Sequence, residues 1–321
     1  MIVVTGGAGF IGSAFVWKLN EQGITDVLVV DALGTSEKWR NLVPRRYADF
    51  LHKDAFLQKV RDRSLTGVTA VVHMGACSAT TERDADYLME NNYRYTRELA
   101  EWAVGSGARF LYASSAATYG DGSQGFADDE SALDSLRPLN MYGYSKQLFD
   151  QWAKQNGLLD RMVGLKFFNV FGPNEYHKGD MSSVLYKAYG QIRDTGHLKL
   201  FRSYRPEYGD GEQKRDFVYV KDVVEVMWWL LQNPGVNGLF NLGTGQARSW
   251  NDLAHAMFAA MDREPDIRYI EMPDALKGKY QYFTKATMEK LRSAGCPVTF
   301  RSLEDAARDY VTYLAQENRP L

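Results

Sequence analysis

Short runs of β-branched and aromatic residues recur along the chain, each separated from the next by a longer stretch with helical spacing. Ile2-Val3-Val4, Val27 to Val30, Ala70 to Ala76 and Phe110 to Ser115 are apolar without alternation, the pattern of strands buried on both faces. Between them, Ser13 to Gln22 reads as a helix stopped by Gly23, and Asp84 to Ser106 reads as a second. A helix at Asn140 to Lys154 and a strand at Val163 to Phe168 continue the rhythm. Strands alternating with helices predict an α/β fold with a parallel, doubly wound sheet.

Two stretches break the alternation. Gly120 to Arg137 is acidic, glycine-containing and weakly periodic, which predicts a surface loop closed by Pro138. Beyond Gly172-Pro173 the character changes, with an amphipathic helix expected from Met181 to Arg193 and a charged loop from Phe201 to Lys214. Phe217 to Val220 and Leu239 to Leu242 then read as strands returning to the sheet, with Trp228 and Trp229 on a helix between them as core or interface residues.

The turn after the first strand is Thr5-Gly6-Gly7-Ala8-Gly9-Phe10-Ile11-Gly12. It fits G-x-G-x-x-G through Gly7, Gly9 and Gly12, or G-x-x-G-x-x-G through Gly6, Gly9 and Gly12. Either arrangement provides a tight turn, a close backbone approach to a pyrophosphate, and helix N-terminal amides facing the anion. Asp31 closes the second strand about twenty residues further on, where a carboxylate meets an adenosine ribose. The fold expected is therefore Rossmann-like, with a smaller interleaved substrate-binding region. We place the dinucleotide-binding part at 1–169 with 216–245 returning to it, and the smaller part at 170–215 and 246–321. Lys38, Arg40, Arg45 and Arg46 follow Asp31 and suit either a 2'-phosphate or a solvated basic loop, so NAD and NADP both stay open on chemistry alone. The small residues after Val71-Val72-His73 suit a chain passing close to a cofactor.

Composition narrows the partners. A formal charge of -2 gives no concentrated basic footprint for nucleic acid, and no stretch approaches the ~20 apolar residues of a membrane span. Two distant cysteines, Cys77 and Cys296, form neither a disulfide framework nor a CxxC pair, which fits a reducing compartment. No charged leader precedes the first strand, so a soluble cytoplasmic protein is expected. His73 and Cys77 have no second ligand pair, and a packing role is expected of His73 ahead of a metal site.

Tyr142-Gly143-Tyr144-Ser145-Lys146 is the second informative stretch, because on a helix Tyr142 and Lys146 lie one turn apart on one face. A lysine ammonium beside a phenol favours the phenolate, so a lowered tyrosine pKa is expected. Such a tyrosine exchanges a proton with a substrate hydroxyl as hydride moves to or from a nicotinamide, with the Ser114-Ser115 strand end nearby to hold that hydroxyl.

The glycine fingerprint, Ser115 and Tyr142-x-x-x-Lys146 resemble the extended short-chain dehydrogenase/reductase family, the nucleotide-sugar epimerases and dehydratases. Arg215 to Val223 and Phe240 to Gly245 match the same pattern, which suggests Arg215 as a fork for a sugar nucleotide's pyrophosphate. One subgroup, acting at C6 of an ADP-linked heptose, is similar essentially end to end. The similarity runs through Val71 to Ser78, Tyr112 to Gly120, Pro138 to Lys146, Phe171-Gly172-Pro173, His177-Lys178-Gly179, Lys277-Gly278, Tyr280-Gln281 and Phe283-Thr284. Met74 and Asp180 depart from it, standing where the subgroup often has Glu and Ser.

The resemblance implies NADP as cofactor, with NAD as the alternative, ADP-heptose as substrate, a place in lipopolysaccharide core precursor synthesis, and a homo-oligomer of the pentamer kind. It implies Tyr142 and Lys178 as acid/base groups serving two orientations of a 6-keto intermediate, with Ser115 and Lys146 assisting. Its cofactor set covers Gly6, Gly9, Phe10, Ile11 and Gly12, then Asp31, Ala32, Lys38, Lys53 and Asn91. Met74, Gly75, Ala76, Cys77 and Ser78 belong to the same set, as do Lys146, Val170 and Lys178. Its substrate set is Ser115, Asn169, Asp180, Lys187, Phe201, Arg215 and Tyr280. A 4,6-dehydratase needs carboxyl groups where Ala116 and Ala117 stand. A UDP-hexose 4-epimerase is the nearest rival, and a non-catalytic dinucleotide sensor is a more distant one.

Overall fold

The computed structural model of the chain describes residues 1–274 and 280–321, so Lys277 and Gly278 of the subgroup pattern lie outside the described residues. The first apolar run is β1 (Ile2–Thr5), and its glycine turn leads directly into α1 (Phe10–Glu21). This helix starts three residues ahead of expectation because extended Gly9 serves as its N-cap, with no side chain capping the first amides. Next come β2 (Val27–Asp31), β3 (Asp49–His52), α2 (Lys53–Arg61) and β4 (Ala70–His73). The stretch read as one long helix is three joined segments: α3 (Ala85–Leu88), a π-helical turn at Met89–Arg94, and α4 (Tyr95–Gly105). β5 (Arg109–Ser115), α5 (Met141–Gln155) and β6 (Met162–Phe167) complete the first half, with the Asn140 side chain accepting from Gly143 N at 2.8 Å to start α5.

The second half runs β7 (Asn169–Phe171), α6 (Val184–Thr195), β8 (Leu198–Phe201), β9 (Lys214–Tyr219), α7 (Val220–Gln232) and β10 (Gly238–Leu242). β11 (Ala247–Ser249), α8 (Trp250–Ala260) and β12 (Ile267–Ile270) follow, and helices Glu289–Ser293 and Leu303–Leu314 come last.

Seven strands form one parallel sheet in the order β10-β6-β5-β4-β1-β2-β3. All residues of β2, β6 and β10 are buried, as their unbroken apolar character requires. The strand order reverses between β1 and β4, so a crevice opens where those two strands end. This is the doubly wound, Rossmann-like fold. No helix among the described residues is long and apolar enough to cross a membrane.

Two expectations are corrected. Phe217 to Tyr219 does not rejoin the main sheet; it lies in β9, between parallel β7 and antiparallel β11, while Val220 already begins α7. The reason is local: β7 follows β6 directly, so β9 pairs with that extension instead of with β6. Only Leu239 to Leu242 returns, as β10 beside β6. The stretch from Gly120 to Arg137 is also not a plain surface loop. Phe126, Asp128, Leu133 and Leu136 are buried, and Glu130–Ser135 forms a 3-10 turn. Its acidic residues cover the open edge of β10, with Leu239 N donating to Glu130 Oε1 at 2.9 Å and Asn241 N to Asp128 Oδ2 at 2.8 Å.

Candidate active site

A cleft of about 790 Å³ lies over the strand ends at the reversal point. Gly6, Gly9 and Gly12 line it, and the contacts around them decide between the two glycine readings. Gly6 has φ +63°, and a Cβ on it would lie 2.6 Å from Gly75 N; a Cβ on Gly12 would lie 2.1 Å from Gly6 O. Gly7 faces inward, where a Cβ would meet Val29 Cγ1 at 2.9 Å. The anion-facing set is thus Gly6, Gly9 and Gly12, and Gly7 is a packing glycine. The uncapped amides of α1 beside them, with Phe10 and Ile11, form a ready anion site.

Asp31 is committed to protein partners. Its Oδ2 accepts from Ala8 N at 2.9 Å, and its Oδ1 accepts from Ala32 N and Lys38 Nζ, each at 2.7 Å. A side pocket brings Asp31, Ala32 and Lys38 together with Lys53 and Asn91, and Lys53 Nζ donates to Asn91 Oδ1 at 2.8 Å. The π-helical turn places Asn91 and Asn92 there. Asn92 was not singled out for a role by sequence, yet it anchors the next strip: Cys77 N donates to Asn92 Oδ1, and Asn92 Nδ2 donates to Cys77 O, both at 2.9 Å. Met74, Gly75, Ala76, Cys77 and Ser78 consequently form one wall of the cleft.

Ser115, at the end of β5, is hydrogen-bonded to Tyr142 on α5, and both line the cleft. Ser114 is turned away, its hydroxyl donating to buried Asp150 at 2.7 Å. Lys146 Nζ donates to Ala113 O at 2.8 Å. The expected lowering of the tyrosine pKa is absent. Burial pushes the Tyr142 phenol up, opposed by the Ser115 hydrogen bond, whereas burial pushes Lys146 down to about 8 against the pull of Asp150. The cost of burying each charged form outweighs any help between the pair.

A 3-10 turn at Tyr176–Met181 brings His177 and Lys178 into the lining of the same cleft. The Lys178 ammonium lies 5.1 Å from the centre of the Phe10 ring, and burial pushes its pKa down while Glu175 resists. His177 is lowered to about 4, by burial first and then by Lys38 and Lys178.

Asn169 and Val170 line the adjoining part of the cleft, with Phe217 and Trp250 forming its wall. Outside the cleft lining, the Arg215 guanidinium lies over the Trp250 and Tyr280 rings, 5.6 and 5.3 Å from their centres. Trp250 Nε1 donates to the Tyr280 hydroxyl at 2.9 Å, and Phe201 meets the Tyr280 ring edge-on at 6.4 Å. Phe201, Arg215 and Tyr280 are therefore brought together, around a tryptophan the sequence did not flag. Asp180 and Lys187 are not part of this group. Both are exposed and outside the cleft lining, joined to each other by Lys187 Nζ donating to Asp180 O at 2.7 Å.

The pattern of the NAD dependent epimerase/dehydratase family matches residues 2–243, three quarters of the chain. The chain belongs to that family. A curated relative from Nitratidesulfovibrio vulgaris, ADP-L-glycero-D-manno-heptose-6-epimerase, is 68% identical over 317 residues, covering 98% of each chain. Among solved structures, the Helicobacter pylori ADP-L-glycero-D-manno-heptose-6-epimerase superposes with a TM-score of 0.82 at 27% identity, covering 98% of this chain and 96% of that one. The Thermus thermophilus UDP-glucose 4-epimerase, in complex with NAD, gives 0.76 at 25% identity and covers 98% of both. Membership makes the chain a dinucleotide-dependent epimerase-type enzyme with a nucleotide-sugar substrate. The residues present fit the cofactor: Gly6 and Gly12 leave no room for a side chain beneath the anion site, and the strand-end crevice is its usual seat.

Proposed function

We propose that this protein inverts C6 of ADP-D-glycero-D-manno-heptose to give the L-glycero epimer, through a transient 6-ketone, for lipopolysaccharide core synthesis in the cytoplasm. The observation that carries the reading is the 68% identity to the Nitratidesulfovibrio vulgaris enzyme across 98% of both chains. The nicotinamide, when bound, supplies reversible removal and return of hydride at C6. Tyr142, hydrogen-bonded to Ser115, is the group that exchanges a proton with the C6 oxygen in one orientation. Because C6 is exocyclic, the carbonyl group turns about its bond to the ring, and its oxygen is then served by Lys178, which lines the same cleft. Lys178 suits that step, since burial moves its pKa toward neutrality. Lys146 holds the nicotinamide ribose, and the stacked Arg215 with Phe201 and Tyr280 receives the nucleotide sugar.

The cofactor we assign is NADP. Asp31 is engaged by Ala8, Ala32 and Lys38, so its charge is compensated, and Lys38 and Lys53 are the cations on hand for a 2'-phosphate. Substrate contacts are assigned to the smaller region, 170–215 and 246–321, and the assembly to a homo-oligomer, a pentamer by the subgroup resemblance. The runner-up, a UDP-hexose 4-epimerase, is kept by the fold similarity to the Thermus thermophilus enzyme.

The test is incubation with ADP-heptose and with UDP-galactose, product stereochemistry being followed by NMR. Inversion of the heptose alone is expected, and turnover of the hexose alone overturns the reading. Tyr142→Phe and Lys178→Met should each lower kcat by about 10²- to 10⁴-fold with the substrate still bound. Unimpaired epimerisation by Lys178→Met removes that lysine from the scheme.

A further inference from the structure

The segment carrying Lys178 is fastened by one buried carboxylate. Glu175 is fully buried, and its two oxygens accept from both ends of the segment. Gly172 N donates to Oε1 at 3.1 Å, Ser183 N to Oε2 at 2.5 Å, and Ser183 Oγ to Oε1 at 2.7 Å. The Tyr310 hydroxyl, from the last helix, donates to Oε1 at 3.0 Å. Burial pushes the pKa of Glu175 up, and the two backbone amides and the Ser183 hydroxyl oppose that shift by donating to its carboxylate. Ser183 is in turn the N-cap of α6, its hydroxyl accepting from Tyr186 N at 3.2 Å. The segment between the two stems is thus a loop pinched at its base.

A second set of bonds holds the same loop to the dinucleotide side. Asn174, which has φ +78°, donates through Nδ2 to Ser13 Oγ at 2.9 Å, and its carbonyl accepts from Asn41 Nδ2 at 3.0 Å. Asn41 Nδ2 also donates to Ala8 O at 3.0 Å, inside the glycine turn.

We infer that Glu175 is the positioning residue for Lys178: by clamping Gly172 to Ser183 it holds the 3-10 turn in the one register that presents the Lys178 ammonium to the cleft, beside Phe10. This rests on the reading of Lys178 as the second acid/base group. Glu175 touches neither substrate nor cofactor. Its charge also acts on Lys178, favouring the ammonium; the other charged and titratable groups around that turn are Tyr176, His177 and Asp180 on the turn itself, Lys187, Tyr186, Tyr310 and Tyr313 from the helices beside it, and Lys38 and Asp31, which act on His177 from the dinucleotide side.

The test compares Glu175→Gln, Glu175→Ala and Tyr310→Phe in the full-length protein. Both Glu175 variants should lose roughly tenfold to a hundredfold in kcat with KM for the nucleotide sugar within twofold, because a displaced acid/base group costs rate and not affinity. Tyr310→Phe removes a partner of the same carboxylate outside the loop and should lower Tm with kcat within twofold. Lys178 acylation by acetic anhydride, quantified against pH by mass spectrometry, supplies a readout independent of turnover. Its midpoint should move to lower pH in Glu175→Gln, and its rate should rise in Glu175→Ala as the loop opens. Unchanged Lys178 labelling, with kcat loss merely tracking the loss of Tm, overturns the proposal. If Lys178→Met epimerises normally, the acid/base reading fails while the labelling still decides whether Glu175 holds the turn.

Discussion

His73 illustrates how far one residue's chemistry is set by its neighbours. Its Nδ1 lies 2.6 Å from Thr5 Oγ1 and its Nε2 lies 2.8 Å from Thr96 Oγ1. Thr96 Oγ1 donates onward to Asn92 O at 2.5 Å, so its remaining role toward the ring is acceptor, and the imidazole is the neutral Nε2–H tautomer. Thr5 Oγ1 accepts from Gly75 N at 3.2 Å and donates to Nδ1. The result is a line of bonds from Gly75 through Thr5, His73 and Thr96 to the π-helical turn, a packing role of the kind expected. Burial lowers the pKa of His73 from 6.5 to about 3, with Lys146 adding to the effect. Between those two values the unfolded chain binds a proton that the folded chain does not. Stability therefore falls as pH drops from about 6.5 toward 3, by up to about 1.4 kcal/mol per unit. Denaturant melts across that window should give a shallower slope for His73→Gln than for the parent protein, and parallel slopes would contradict this account.

At the scale of elements, the glycine turn and α1 stand or fall together. A Cβ at position 12 would lie 2.1 Å from Gly6 O and 2.7 Å from Gly6 C, backbone atoms that cannot move without displacing the turn. Gly12→Ala should weaken dinucleotide binding at least about tenfold, as isothermal titration would read. Gly105→Ala, at an exposed position on α4 with no atom within 4 Å, should bind normally and gain about 0.5 to 1 kcal/mol in stability. These glycines, the buried strands and the Tyr142 helix were legible because each is written in adjacent residues: a run, a turn, a period. The edge of β10 was not. Asp128 and Glu130 look solvated in sequence, and only the fold reveals that they answer strand amides more than a hundred residues away. Trp250, Asn92 and Glu175 escaped for the same reason, since their meaning lies in contacts that no local pattern encodes. The tyrosine pKa was misjudged because spacing reports who is near and says nothing about how deeply the pair is buried.

For the molecule as a whole, Asp216, the residue after Arg215, is one of the buried groups that tie distant segments together. It is fully buried, and its Oδ1 accepts from Thr244 N at 2.7 Å and Thr244 Oγ1 at 2.8 Å, while Oδ2 accepts from Gly245 N and Ala286 N, each at 2.9 Å. One carboxylate on β9 thus holds the turn that leaves β10 and a segment near the last helices. Three backbone amides and the Thr244 hydroxyl donating together favour an ionised Asp216, although burial pushes its pKa up. Asp216→Asn would set an amide against those donors, at a cost of about 3 kcal/mol. The glycine turn and strand ends that line the cleft include none of the residues bonded to this carboxylate. The stack of Arg215, Trp250 and Tyr280 sits on the strands and segments it fastens. Asp216→Asn should therefore lower Tm by several degrees, raise KM for the nucleotide sugar roughly tenfold, and leave dinucleotide affinity within twofold of the parent. Equal loss of both affinities would mean that the regions are coupled by more than this junction.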